Sequence, residues 1–121
     1  MEITERRVAD LVIISVTGDL TMGPGGRMVL AEKVRHLLQQ GHRRLVLELG
    51  GVRYVDSSGL GELAESNAAA HTRGASFRLS GVGQRLADLL VLTKLAPVFE
   101  LEDAEAEAKR GDPLAADAGQ P

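Results

Sequence analysis

The chain has 121 residues, no cysteine, one Tyr, two Phe and no Trp, and a formal net charge of −3. That length suits one domain with a core of its own, and the composition excludes disulfides, thiolate metal sites, cysteine nucleophiles and aromatic platforms for nucleobases. Basic residues are scattered rather than striped, which argues against a nucleic-acid face. No apolar run approaches the ~18 residues of a membrane helix, so a soluble cytoplasmic protein with no membrane partner is expected.

Residues 2–8 and 11–17 read as two strands joined across Ala9-Asp10, an antiparallel hairpin. The second, LVIISVT, is apolar and β-branched enough for a central position. Gly18 is expected to end it, and Pro24-Gly25-Gly26 marks an irregular loop. From Arg27 to Gln40, Leu30, Val34, Leu37 and Leu38 recur on one face of a helix that Gly41 stops. RRLVLEL, residues 43–49, reads as a strand broken off by Gly50-Gly51. A second helix is predicted from about Ser58 to Arg73, a strand over SFRLS at 76–80, a third helix from Arg85 to Lys94, and a last short strand over VFEL at 98–101. The order ββαβαβαβ predicts a single α/β domain over residues 1–101, with a mixed, mostly parallel sheet and an N-terminal antiparallel hairpin. Residues 102–121 are expected to form an acidic, alanine-rich tail, with a short helix over EDAEAEAKR and disorder beyond it.

The stretch VDSSGLGEL, Val55 to Leu63, falls where a strand hands over to a helix, the place at which parallel sheets gather their sites. Asp56 or Ser57 can cap the helix by accepting from its free N–H groups. A cap does not explain the second serine, and Gly59 and Gly61 each cost roughly 1 kcal/mol relative to alanine inside a helix. Side chains removed from the first turn would let another surface approach the serine backbone. A phosphoryl group on Ser58 would meet the favourable end of the helix dipole. It would also present ~1.5 to 2 negative charges to a docking partner, in addition to that of Asp56. On spacing alone, capping and a modified or contacted site both stay open, and they can coexist.

Other chemistries fit these letters less well. Gly59-Leu60-Gly61-Glu62-Leu63-Ala64 has the spacing of a dinucleotide fingerprint, but SFRLSGVG lacks the acidic residue due about 20 positions later. A nucleophile elbow would need glycine at Asp56 and at Leu60. Gly18 to Gly23 lacks the Lys-Ser/Thr pair of a phosphate-binding loop. His71 would stand about 20 Å from the serines along the same helix, and His36, His42 and His71 read as surface residues. Arg43-Arg44 reads as the solvated start of a strand, and no spacing suits a metal. The chain is expected not to be an enzyme and to use neither metal nor cofactor.

Gly18-Asp19-Leu20 after an apolar strand, then RRLVLEL, VRYVDSSGLGEL and FRLSGV, resemble the STAS domain family over roughly residues 3–101. More narrowly they resemble the bacterial anti-sigma factor antagonists. The resemblance implies helices packed on one side of the mixed sheet. It implies that Ser58, with Ser57 the neighbouring alternative, is phosphorylated by an anti-sigma factor that is also an ATP-dependent serine kinase of the histidine-kinase-like fold. The unphosphorylated antagonist binds that kinase, the phosphorylated form lets go, and a metal-dependent phosphatase resets it. Asp56, Ser57, Ser58, Gly59, Leu60, Gly61, Asp19 and Thr21 form the expected contact, with Asp56 orienting the loop. Relatives often carry an acidic residue where Thr21 stands, a less glycine-rich loop than TMGPGG, and glycine where Lys94 stands, the last a difference expected to be neutral. A monomer or weak dimer is expected. The rival expectation is a structural module of the same fold, in a signalling scaffold or a lipid-transport ATPase complex, without a phosphorylation cycle.

Overall fold

Alternating and helical periods become β1 (Glu2–Val8), β2 (Leu11–Leu20), α1 (Val29–Gln39), β3 (Arg44–Val55), α2 (Ser57–Thr72), β4 (Ser76–Ser80), α3 (Gln84–Leu92) and β5 (Glu100–Leu101) in the computed structural model, which describes residues 1–101. The tail expected over 102–121, with its helix over EDAEAEAKR, lies outside the described residues. The sheet has the order β1-β2-β3-β4-β5. β1 runs antiparallel to β2, and every later pair is parallel. This is the predicted mixed α/β domain.

Alternation along the strands sorts the two faces. Val12, Ile14 and Val16 of β2 join Leu45 and Leu47 of β3 and Phe77 and Leu79 of β4 in one core with Leu30, Leu37, Leu63 and Leu90 of the helices. Each such side chain, fully buried, contributes about 1.5–3 kcal/mol. The intervening positions form the opposite face. There Leu11, Ile13 and Val46 make a small separate cluster, and the Ser15 hydroxyl donates to Glu48 at 2.8 Å. The helices thus cover one side of the sheet.

All three helices end in the same way. Gly41 (φ 98) and Gly74 (φ 69) follow α1 and α2 in the left-handed conformation. His42 N–H then reaches back to Leu37 O at 3.2 Å, and Ala75 N–H to Ala70 O at 2.9 Å. After α3 the same turn is closed by Leu95 N–H to Leu90 O at 2.8 Å, but its left-handed residue is Lys94, with φ 61. Lysine there bears the steric cost that glycine avoids, so the expectation that lysine is neutral at this position does not hold for the helix end.

Three boundaries differ from the sequence-based expectation. Gly18 does not end β2; it takes φ 88 and the strand continues to Leu20 past a register shift. Gly50-Gly51 does not break β3, which runs on to Val55. A Cβ on Gly51 would stand 2.6 Å from Thr17 Cγ2, so Gly51 serves the close approach of β3 to β2, whereas a Cβ on Gly50 would meet nothing within 4 Å. The last strand shortens to Glu100–Leu101 because Ala96–Val98 form a 3-10 turn. The first two changes matter for function: the lengthened β2 and β3 end side by side, with Leu20 opposite Val55.

Candidate functional site

β3 delivers Asp56 directly to the start of α2, with no loop between them. Asp56 is extended (φ −116, ψ −175), the conformation of an N-cap, and its side chain accepts from Gly59 N–H at 2.9 Å. The Ser58 hydroxyl donates to the same Oδ1 at 2.6 Å. It also accepts from Met22 N–H at 3.1 Å, from the segment that follows β2. The Ser58 hydroxyl, then Gly59 N–H, hold the Asp56 carboxyl below its ordinary range. Asp56 therefore caps the helix and points the serine hydroxyl at once. Ser58 is half-buried in this cluster, and Ser57 is exposed beside it.

The two glycines have different reasons. A Cβ on Gly59 would lie 2.0 Å from Leu20 O and 2.8 Å from Leu20 C. Gly59 is buried, and its missing side chain lets α2 press onto the end of β2, which corrects the expectation that it clears space for a visiting surface. Leu60 is likewise buried at 7% exposure and belongs to the core, so of this expected contact pair neither presents a free side chain. A Cβ on Gly61 would meet nothing within 4 Å. Gly61→Ala is therefore expected to stabilise the protein by about 0.5–1 kcal/mol through helix propensity and the unfolded chain, read as a raised urea midpoint. A loss of stability would show that Gly61 too is held by the fold.

Of the two remaining expected residues, Thr21 immediately precedes the Met22 N–H that binds Ser58, and its own hydroxyl turns to Met22 O at 3.4 Å. Asp19 is not in the cluster; it faces Arg53 of β3 at 3.6 Å, both side chains exposed. The loop TMGPGG owes its glycines to geometry. Gly25 and Gly26 have φ 69 and 77 in a 3-10 turn over Pro24–Gly26, and a Cβ on Gly23 would stand 2.6 Å from Val29 Cγ2. Two participants were not foreseen. Met22 enters through its backbone, which no residue-type pattern reveals, and Glu62 is fully buried at 0% exposure although a helical glutamate reads as a surface residue.

The cluster lies at the first turn of α2, where Ser57 is exposed. A groove of about 290 Å³ between α1 and α2, lined by Arg35, Leu38, Glu65, Ala69 and Arg73 among others, is toward the other end of α2. Among the described residues no three acidic or imidazole side chains gather as a metal site, and no helix is long and apolar enough to cross a membrane.

Residues 3–101 match the family model described as Mlab, STAS domain. The chain is similar in fold to an anti-sigma factor antagonist from Mycobacterium paratuberculosis, with 20% identity and a TM-score of 0.74 over 91% of this chain and 92% of that one. It is similar to the anti-sigma factor antagonist SpoIIAA in its unphosphorylated form, with 14% identity and a TM-score of 0.69 over 93% of this chain and 99% of that one. The Bacillus cell fate determinant SpoIIAA in its phosphorylated form matches with 16% identity and a TM-score of 0.69 over 90% and 98%. At these identities the likeness to solved structures is one of fold. The family model, matched across almost all of the described residues, carries the assignment: the chain belongs to the STAS domain family.

Proposed function

We propose that this protein is an anti-sigma factor antagonist: a cytoplasmic binding module that holds an anti-sigma factor while Ser58 is unmodified and releases it once Ser58 is phosphorylated, thereby regulating transcription. The observation that carries this reading is the Ser58 hydroxyl on the first turn of α2, pointed by Asp56 at 2.6 Å. The kinase is the anti-sigma factor itself, of the histidine-kinase-like ATPase fold. The Ser58 Oγ–phosphorus bond forms as the bond from the γ-phosphorus to ADP breaks, and the hydroxyl proton is released. A metal-dependent phosphatase returns phosphate by adding water. Chemistry on this side is confined to presenting the acceptor, so the protein acts as substrate and ligand rather than as an enzyme.

A second reading is favoured by two observations. The matching family model is described as Mlab, and α3 with the turn after it exposes Val91 (65%), Leu92 (78%) and Val98 (46%) at the opposite end of the sheet from Ser58. A module of a lipid-transport ATPase complex would dock through such a surface without a phosphorylation cycle. Titrating the full chain with each histidine-kinase-like anti-sigma factor of its own genome, and with the ATPase subunits of lipid transporters, separates the two. The first reading expects an anti-sigma factor to bind at about micromolar Kd or tighter. Binding confined to a transporter ATPase, unaffected by Ser58→Asp, would overturn it in favour of the second.

A further inference from the structure

The loop after β2 is attached to α2 at both ends. At the near end Met22 N–H donates to Ser58 Oγ at 3.1 Å. At the far end Ala31 N–H donates to Glu62 Oε1 at 3.0 Å. Ser58 and Glu62 are four residues apart, one above the other on α2. Ala31 is in the first turn of α1, where N–H groups have no partner inside the helix, and Met28 at the N-cap supplies no side-chain cap. Glu62 is thus a capping carboxylate brought in by a neighbouring helix. It is fully buried, and its Oε2 has no hydrogen-bond partner. A carboxyl group in such surroundings costs free energy that a leucine of similar volume would not, which asks for a role beyond filling space.

Between its attachments the loop is bonded to itself. Gly23 N–H donates to Arg27 O at 2.8 Å and Gly26 N–H to Gly23 O at 3.1 Å, and Arg27 pairs with Glu32 of α1 at 2.5 Å. A unit closed in this way swings about its α1 end: losing the Met22 attachment leaves that end in place, whereas losing the Glu62 attachment loosens both. Phosphorylation removes the Ser58 hydroxyl hydrogen that binds Asp56 and sets a doubly charged group beside that carboxylate. Repulsion from Asp56 is expected to turn the Ser58 side chain outward and take its oxygen away from Met22 N–H.

We infer that Glu62 is a positioning residue: it fixes the α1 end of the loop over residues 22–28, so that the loop stands beside Ser58 as part of one docking surface, and modification of Ser58 frees only the Met22 end. The loop's part in docking rests on the function proposed above; the two-ended attachment is a property of the isolated chain.

Amide hydrogen exchange at Met22 and Ala31, followed by NMR on the full chain, tests it without a partner. Ser58→Asp is expected to speed exchange at Met22 by about tenfold and leave Ala31 unchanged, whereas Glu62→Leu speeds both by about tenfold. Glu62→Gln, which keeps an oxygen for Ala31, is expected to leave both near the wild-type rate. The Glu62→Leu protein is expected to have a lower urea midpoint, since the buried Ala31 N–H loses its acceptor; a purely structural Glu62 would do the same without speeding exchange at Met22. Unchanged exchange in Glu62→Leu, release of Ala31 by Ser58→Asp, or a Glu62→Gln protein that loses Ala31 protection would each overturn the inference. Should Glu62→Leu fail to fold, the other two variants still decide it. Failure to bind any anti-sigma factor would sink the proposed function and leave these exchange results standing.

Discussion

Ser58→Asp is expected to weaken binding to the cognate anti-sigma factor by about a hundredfold or more, because a like or unpaired charge at a docked contact costs several kcal/mol. The substituted carboxylate falls beside Asp56, whose Oδ1 now accepts the Ser58 hydroxyl at 2.6 Å. It has no hydrogen to offer that oxygen, so it is driven outward to the surface a partner would cover. Aspartate brings one negative charge where phosphoserine brings ~1.5 to 2, so the variant underestimates the modified protein. Ser58→Ala removes the hydroxyl without adding charge and is expected to retain most of the affinity. Isothermal titration with the three proteins checks this, with circular dichroism to show that the fold persists. Equal affinity for wild type and Ser58→Asp would show that the contact lies elsewhere.

Gly59→Ala carries the largest expected effect on stability. The added Cβ would stand 2.0 Å from the Leu20 carbonyl oxygen and 3.0 Å from Val55 Cγ2. The oxygen is backbone, at the end of a strand paired there with β3, so it cannot rotate away as a side chain could. Relief requires lifting the first turn of α2 or bending the end of β2, and both break the Asp56–Ser58–Met22 cluster. Overpacking of this kind costs about 3 kcal/mol or more, a loss of roughly 10–20 °C in Tm for a chain of this size. Urea denaturation of Gly59→Ala beside Gly61→Ala checks the contrast: one glycine is required by a neighbour and the other is free. Comparable stabilities for the two variants would contradict the contact.

That contrast also shows how far the letters could be read. The hairpin, the helices and the parallel crossovers follow from period and punctuation, because apolar spacing reports which face of an element is buried. Asp56 and Ser58 were legible for the same reason, since a cap and a hydroxyl at a strand-to-helix junction are local features. Gly59 and Gly61 look alike in the string, and only the Leu20 carbonyl beneath one of them separates their roles. Gly50-Gly51 reads as a stop, yet the strand continues through it and Gly51 lets β3 pass close to Thr17. Glu62 gave no signal: glutamate favours helices, and nothing along the chain records that its side chain reaches the first turn of another helix. Residue type and spacing carry local chemistry; contacts across a long sequence separation have to be seen in space.

The central claim is that Ser58 is the acceptor of a phosphoryl switch. The most direct measurement incubates the purified full chain with ATP and each histidine-kinase-like anti-sigma factor of its genome, then determines intact mass and maps the site by tandem mass spectrometry. The account predicts a single phosphoryl addition, located on Ser58 and lost in Ser58→Ala while Ser57→Ala is still modified. No addition by any active kinase of this class, or addition that persists in Ser58→Ala, would contradict it.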